Sequence, residues 1–212
     1  MSPRLVLVLA ALAAGAATAG DVVLLRAGAG APLGVDTLAA GSLIGVLAIP
    51  IYALGYRAIA PACTPALARA LVAAGGTVAG VVGGAIHGMT GLGVHLDRVA
   101  GVTPLTPADF VARHGTFLVP LWGLAALGAL LASLAIIWSR VSGAGGVPAA
   151  VAVCTPAVVT AALLGVTVVH PAPWTTDLLA PAAPNLAHLV FFGAAALARR
   201  TPRAGGADPS TA

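Results

Sequence analysis

Lysine and glutamate are absent from this 212-residue chain, and charge of any kind is scarce. Arginine and aspartate supply all 8% of charged residues, against 59% hydrophobic ones. A soluble domain carries about 25% charged residues, so this chain has too few to cover a water-facing surface. A bilayer removes that requirement, because hydrocarbon then solvates the outside. Cysteine is nearly absent too. Cys63 and Cys154 form no CxxC pair, which excludes a thiolate zinc or redox motif and leaves two inert thiols. Aromatics make up 4%, and no basic stripe interleaves with them, which excludes nucleic-acid binding. The net charge of +4 suits anionic lipid headgroups instead, and the lipid bilayer is the expected partner.

What is present is a set of long apolar runs. A spanning helix needs about 20 mostly apolar residues. Six stretches meet that need: residues 5–25, 38–59, 70–92, 116–138, 147–169 and 178–198. The breaks carry turn formers: Pro32 and Gly34, Pro61 and Pro65, Pro104 and Pro107, Gly143 to Gly146 with Ala144 between, and Pro171 with Pro173. The expected fold is all-α, a polytopic membrane bundle of six transmembrane helices over residues 1–200. A disordered cytoplasmic tail over 201–212 follows. The segment Ala17-Thr18-Ala19 has the small-residue pattern of a signal-peptide cleavage site, but the apolar run continues through Leu25 and favours an uncleaved first helix.

Orientation follows from the arginines. Arg4, Arg57, Arg69, Arg140, Arg199, Arg200 and Arg203 fall on one side, and only Arg26, Arg98 and Arg113 on the other. The richer side is expected to be cytoplasmic, with both termini inside and the protein in a bacterial plasma membrane. The longest exterior connection is expected over residues 93–115, with Thr106-Pro107-Ala108-Asp109 reading as a helix start inside it. Trp174 and Trp138 read as interfacial anchors at opposite faces.

The third stretch carries Gly76, Gly80, Gly84 and Gly88 at four-residue intervals. At 3.6 residues per turn they form one smooth stripe that lets a second backbone approach closely. His87 falls on the same side, so the third helix is expected to be central with His87 inside the bundle.

Ionisable residues within a bilayer are costly and face a bundle interior or a wet cavity. Asp21, His87 and His188 meet that description, and Asn185 shares a helix face with His188. His95, His114 and His170 sit in or beside exterior connections. Asp21, His87 and His188 are the candidate catalytic residues, His87, His188 and Asn185 the candidate ligand contacts, and His87 with His188 the candidate metal ligands. The plainer alternative is that they fix helix packing: His188 bonded to Asn185 or a carbonyl, His87 to a neighbouring helix, Asp21 to Arg26. No HExxH, CxxCH or phosphate loop is present. The sequence names no cofactor, substrate or oligomeric state.

Gly20-Asp21-Val22-Val23-Leu24-Leu25, Ile86-His87-Gly88 and Pro184-Asn185-Leu186-Ala187-His188-Leu189-Val190-Phe191-Phe192 occur in that order. Together they resemble a family of uncharacterised bacterial membrane proteins of this length, over about residues 1 to 200. The resemblance implies a small all-helical membrane fold and brings no activity, substrate or cofactor. Three readings stand: a membrane protein of unknown activity with an outward-facing polar pocket, a membrane enzyme or redox protein holding a metal or haem on His87 and His188, and a small-molecule transporter.

Overall fold

The computed structural model describes residues 1–102, 106–143 and 145–199. The tail expected over 201–212, with Arg200, Arg203 and Pro104, lies outside the described residues. Among the described residues every regular element is helical: α1 (Pro3–Gly28), α2 (Val35–Ala48), α3 (Tyr52–Ile59), α4 (Ala66–Val99), α5 (Pro107–Val141), α6 (Ala149–Val153), α7 (Pro156–Val169) and α8 (Ala180–Ala198). Short 3-10 turns at Ile49–Ile51 and Ala60–Ala62 splice α2 and α3 into one rod, and a π turn at Thr175–Leu179 leads into α8. Five of these rods are long and apolar enough to cross a membrane: Pro3–Gly28, Val35–Ala62, Ala66–Val99, Ala108–Val141 and Thr175–Ala198. The chain is therefore a helical membrane protein, and many of its leucines and valines are exposed on the outside of the bundle.

The fifth expected stretch differs from a single span. It is broken between α6 and α7, because Pro156 has no N–H to donate and holds Thr155 extended at φ −58° and ψ 148°. The α7 piece has only 14 residues. The connection expected over 93–115 is also much shorter. α4 runs on to Val99, and α5 starts at Pro107 with a capping box in which Thr106 and Asp109 each satisfy the other's backbone N–H. At 1.5 Å per residue these helices are about 50 Å long, so they outreach a hydrocarbon core of about 30 Å.

Neighbouring rods run antiparallel. Asp21 near the end of α1 meets Asn185 near the start of α8, and Arg199 after α8 donates to the Ala58 carbonyl at the end of α3. Gly146 N–H bonds the Ala62 carbonyl, and Thr64 N–H bonds the Ser139 hydroxyl. One end of the bundle thus gathers Pro3, Ala62, Ser139, Gly146 and Arg199. We call it the near end, and the end carrying Asp97 the far end.

The glycine stripe is where α4 receives its neighbours. A Cβ on Gly76 would enter the Tyr56 ring. One on Gly80 would sit 3.2 Å from both the Ile49 carbonyl and the Ala53 nitrogen. Gly84 faces Pro50, and Gly88 faces Val46. On the other side of α4, Gly75 and Gly128 bring the α4 and α5 backbones together, each Cβ position 2.5–2.6 Å from the other glycine's carbonyl oxygen. Close packing of this kind holds helices in lipid, where the hydrophobic effect gives no drive between them.

Two apolar clusters result. The larger, toward the near end, includes Leu7, Ala14, Tyr56, Val72, Ile136, Phe191 and Phe192. The smaller, toward the far end, includes Leu24, Leu38, Val94, Phe110 and Leu118. Asp21, Ser42 and His87 fall in sequence between the segments that feed these clusters. Cys63 and Cys154 are free thiols, and burial pushes the Cys63 thiol above its ordinary range.

Candidate functional site

Four of the polar residues singled out by their rarity come together in a buried network. Asn185 is its hub: its amide nitrogen donates to Asp21 Oδ2 at 2.8 Å, and its Oδ1 accepts from the Tyr52 hydroxyl at 2.8 Å. Asp21 Oδ1 lies 3.2 Å from His87 Nε2. The other ring nitrogen of His87, Nδ1, lies 3.2 Å from the Ser42 carbonyl oxygen. One turn further along α8, His188 Nδ1 lies 2.7 Å from the Pro184 carbonyl, and its Nε2 is 3.0 Å from the Tyr56 hydroxyl. Tyr52 joins the two halves by stacking on His188, with ring centroids 4.5 Å apart. Four rods, α1, α2–α3, α4 and α8, each contribute.

Local sequence explains these positions. Tyr52 and Tyr56 are one helical turn apart, so both hydroxyls reach the same face of α8, where Asn185 and His188 are also one turn apart. Gly45 makes room for the His87 ring, because a Cβ there would overlap it. Gly20 is also needed, since its Cβ would lie 2.7 Å from the Gly41 carbonyl and 3.0 Å from His87 Cε1. Phe191 and Phe192 close the network toward the near end, their rings 5.5 and 5.4 Å from Tyr56.

Hydrogen-bond roles follow from what each partner can do. A carbonyl only accepts, so Nδ1 of both histidines carries a proton. Nε2 of neutral His188 is then an acceptor, and the Tyr56 hydroxyl donates to it. His87 is different, because its Nε2 faces a carboxylate oxygen. A bare nitrogen lone pair and a carboxylate repel each other. The contact is favourable when a proton sits on His87 Nε2 or on Asp21, and both states leave the pair with zero net charge. The Asp21 oxygen lies off the line of the ring N–H, so His87 Nε2 has no well-aligned hydrogen bond. The pair is held close by charge and packing rather than by a finished bond.

The network is nearly sealed. His87 is 4% exposed, His188 6%, Tyr52 1% and Tyr56 0%. The Asp21 side chain, at 15%, is more open than the His87 ring. The network lies between the two apolar clusters. Arg26 is not Asp21's partner in the bonds observed; His87 and Asn185 are.

The remaining histidines stay apart. His114 lies within α5 rather than in a loop, and its Nε2 is 2.8 Å from Asp97 Oδ2. Arg113 approaches the other oxygen of Asp97 at 3.5 Å. His95 and His170 do not join the central network. Among the described residues no three His, Cys, Asp or Glu side chains are grouped to hold a metal ion. Both nitrogens of His188 are engaged, by the Pro184 carbonyl and the Tyr56 hydroxyl.

Sequence reasoning missed Tyr52 and Tyr56. They are the only two tyrosines in the chain, and their one-turn spacing within an apolar run was the available signal.

An all-helical membrane bundle with a buried Asp–His–Asn–Tyr network is the class of protein that this fold and site define. The chain belongs to a family of unknown function, DUF6796, whose model matches residues 35–200. That range holds every network residue except Asp21. No curated protein and no solved structure matches the chain.

Proposed function

We propose that the protein crosses the cell membrane six times, with both termini in the cytoplasm, and that its network is a proton-binding centre reached from the outer side through Asp21. The sixth crossing is α6 with α7. α5 ends beside Ala62 at the near end, while α8 begins beside α1's Asp21 at the opposite end, so the chain must return between them. α7 alone, with 14 residues, is about 21 Å long, so α6 and the break at Thr155 supply the rest of the crossing. The arginines Arg4, Arg57, Arg69, Arg140 and Arg199 collect at the near end, which makes it cytoplasmic.

The observation that carries the functional reading is the Asp21–His87 contact, where both nitrogens of a buried ring face oxygens. Removing its proton leaves an uncompensated charge inside the bundle, which is costly at bilayer depth. A buried acid–base pair that can hold or release one proton is the chemistry used by proton relays and by binding sites for small polar molecules.

Infrared difference spectra of the protein, inserted in one orientation in liposomes, test this. Changing the external pH alone is expected to alter the carboxyl and imidazole bands, and Asp21→Asn and His87→Gln are each expected to remove the change. A response only to internal pH would contradict outward access. Identical spectra in the wild type and both variants would remove the proton-binding reading.

A further inference from the structure

We infer that the near end carries a binding site for the phosphate of an anionic phospholipid, in the cleft between α3 and α4. The inference rests on the chain being a membrane protein and not on the proton-binding network. The cleft is a shallow, open groove lined by Arg57, Ala60, Pro61, Ala66, Arg69, Ala70 and Ala73. Its polar components are the two arginines, one from the last turn of α3 and one from the first turns of α4. Its floor is proline and alanine, small apolar side chains that leave room along α4.

Three features point to the same ligand. Neither Arg57 nor Arg69 takes part in an ion pair among the described residues, whose pairs all involve Asp21 or Asp97. No aspartate is near enough to serve: Asp36, Asp109 and Asp177 open helices or turns at the far end, with Asp21 and Asp97 toward the same end, and Asp208 lies outside the described residues. The first turn of α4, which lines the groove through Ala66 and Arg69, also lacks a side-chain cap.

Two guanidiniums without an acidic partner on one groove suit a phosphate group. The alanine wall extending from Ala66 to Ala73 suits an acyl chain and offers a free inorganic anion nothing. An amphiphile with a phosphate head therefore fits the cleft as a whole.

Native mass spectrometry of the full chain in detergent, titrated with phosphatidylglycerol or phosphatidylcholine, tests the inference. The wild type is expected to retain phosphatidylglycerol in preference to phosphatidylcholine. The double variant R57Q/R69Q is expected to bind phosphatidylglycerol about thirty-fold more weakly. R140Q, which removes a near-end arginine outside the cleft, is expected to bind like the wild type. Gel filtration and the unfolding midpoint check that each variant is folded, and the exposed positions of Arg57 and Arg69 make folding insensitive to them. Equal weakening in R140Q, or no weakening in the double variant, would overturn the site. So would binding of inorganic phosphate alone without any preference for the anionic lipid.

Discussion

Helix α4 takes part in two Asp–His pairs ten residues apart, and their surroundings differ. At the far end, Asp97 of α4 meets His114 of α5 at 2.8 Å, with Arg113 as a second cation at 3.5 Å. His114 and Arg113 are 25% and 47% exposed, so water reaches both. In the deeper pair, His87 of α4 meets Asp21 of α1 with neutral Asn185 as the other partner of the carboxylate. The outer carboxylate is compensated by arginine whatever the state of His114. The deeper one has no arginine, so its neutrality requires a proton. The same two residue types therefore make an arginine-backed link between α4 and α5 at one depth and an arginine-free pair between α4 and α1 at the other.

The largest effect is expected from Asp21→Ala. It strands the Asn185 amide and His87 Nε2 inside the bundle, at a cost of about 3–4 kcal/mol. Asp97→Ala frees two partners that water can solvate, and its cost is expected at about 1–2 kcal/mol. Thermal unfolding in one detergent measures both, and an equal loss would erase the contrast between the pairs. Gly45→Ala comes next. Its Cβ overlaps the His87 ring, so about 2–3 kcal/mol and the loss of the Asp21 contact are expected. Gly88→Ala meets a single Val46 methyl at 3.0 Å, and less than about 1 kcal/mol is expected there. A crystal or cryo-EM structure of the Gly45 variant with His87 unmoved would refute this packing argument.

Asp21→Asn separates charge from shape. Its oxygen can still accept from Asn185 and its amide can donate to His87 Nε2, so stability is expected to stay within about 1 kcal/mol. Proton binding is expected to vanish all the same. The smallest effect belongs to Arg113→Gln, about 0.5 kcal/mol and shrinking with added salt, because the guanidinium is half exposed. A salt-dependent loss of the deep pair instead would mean that water reaches it freely.

Much of this arrangement was legible in the residues. Asp21, His87, Asn185 and His188 stood out because polar groups are rare in apolar runs, and all four converge. The spacing of Gly76, Gly80, Gly84 and Gly88 announced a close approach, although not that a tyrosine ring and a proline would fill it. Tyr52 and Tyr56 passed unnoticed because an amphipathic ring in a span reads equally well as packing. Thr106-Pro107-Ala108-Asp109 read as a helix start, and α5 begins there with a capping box. Hydropathy measures where lipid ends, so it did not show that α4 and α5 run on past their apolar stretches to Val99 and from Pro107. Pro156 lies within the fifth stretch, and apolar length alone does not show the backbone break that it imposes at Thr155.

The central claim is that the Asp21–His87 pair carries one proton more than a neutral histidine and an ionised carboxylate. Solid-state NMR of the lipid-embedded protein, with the His87 ring nitrogens and the Asp21 carboxyl labelled, tests it most directly. The account predicts that Nδ1 stays protonated throughout. At neutral pH one further proton should be found on His87 Nε2, on the Asp21 carboxyl, or shared between them. A bare Nε2 beside an ionised Asp21 would contradict the claim.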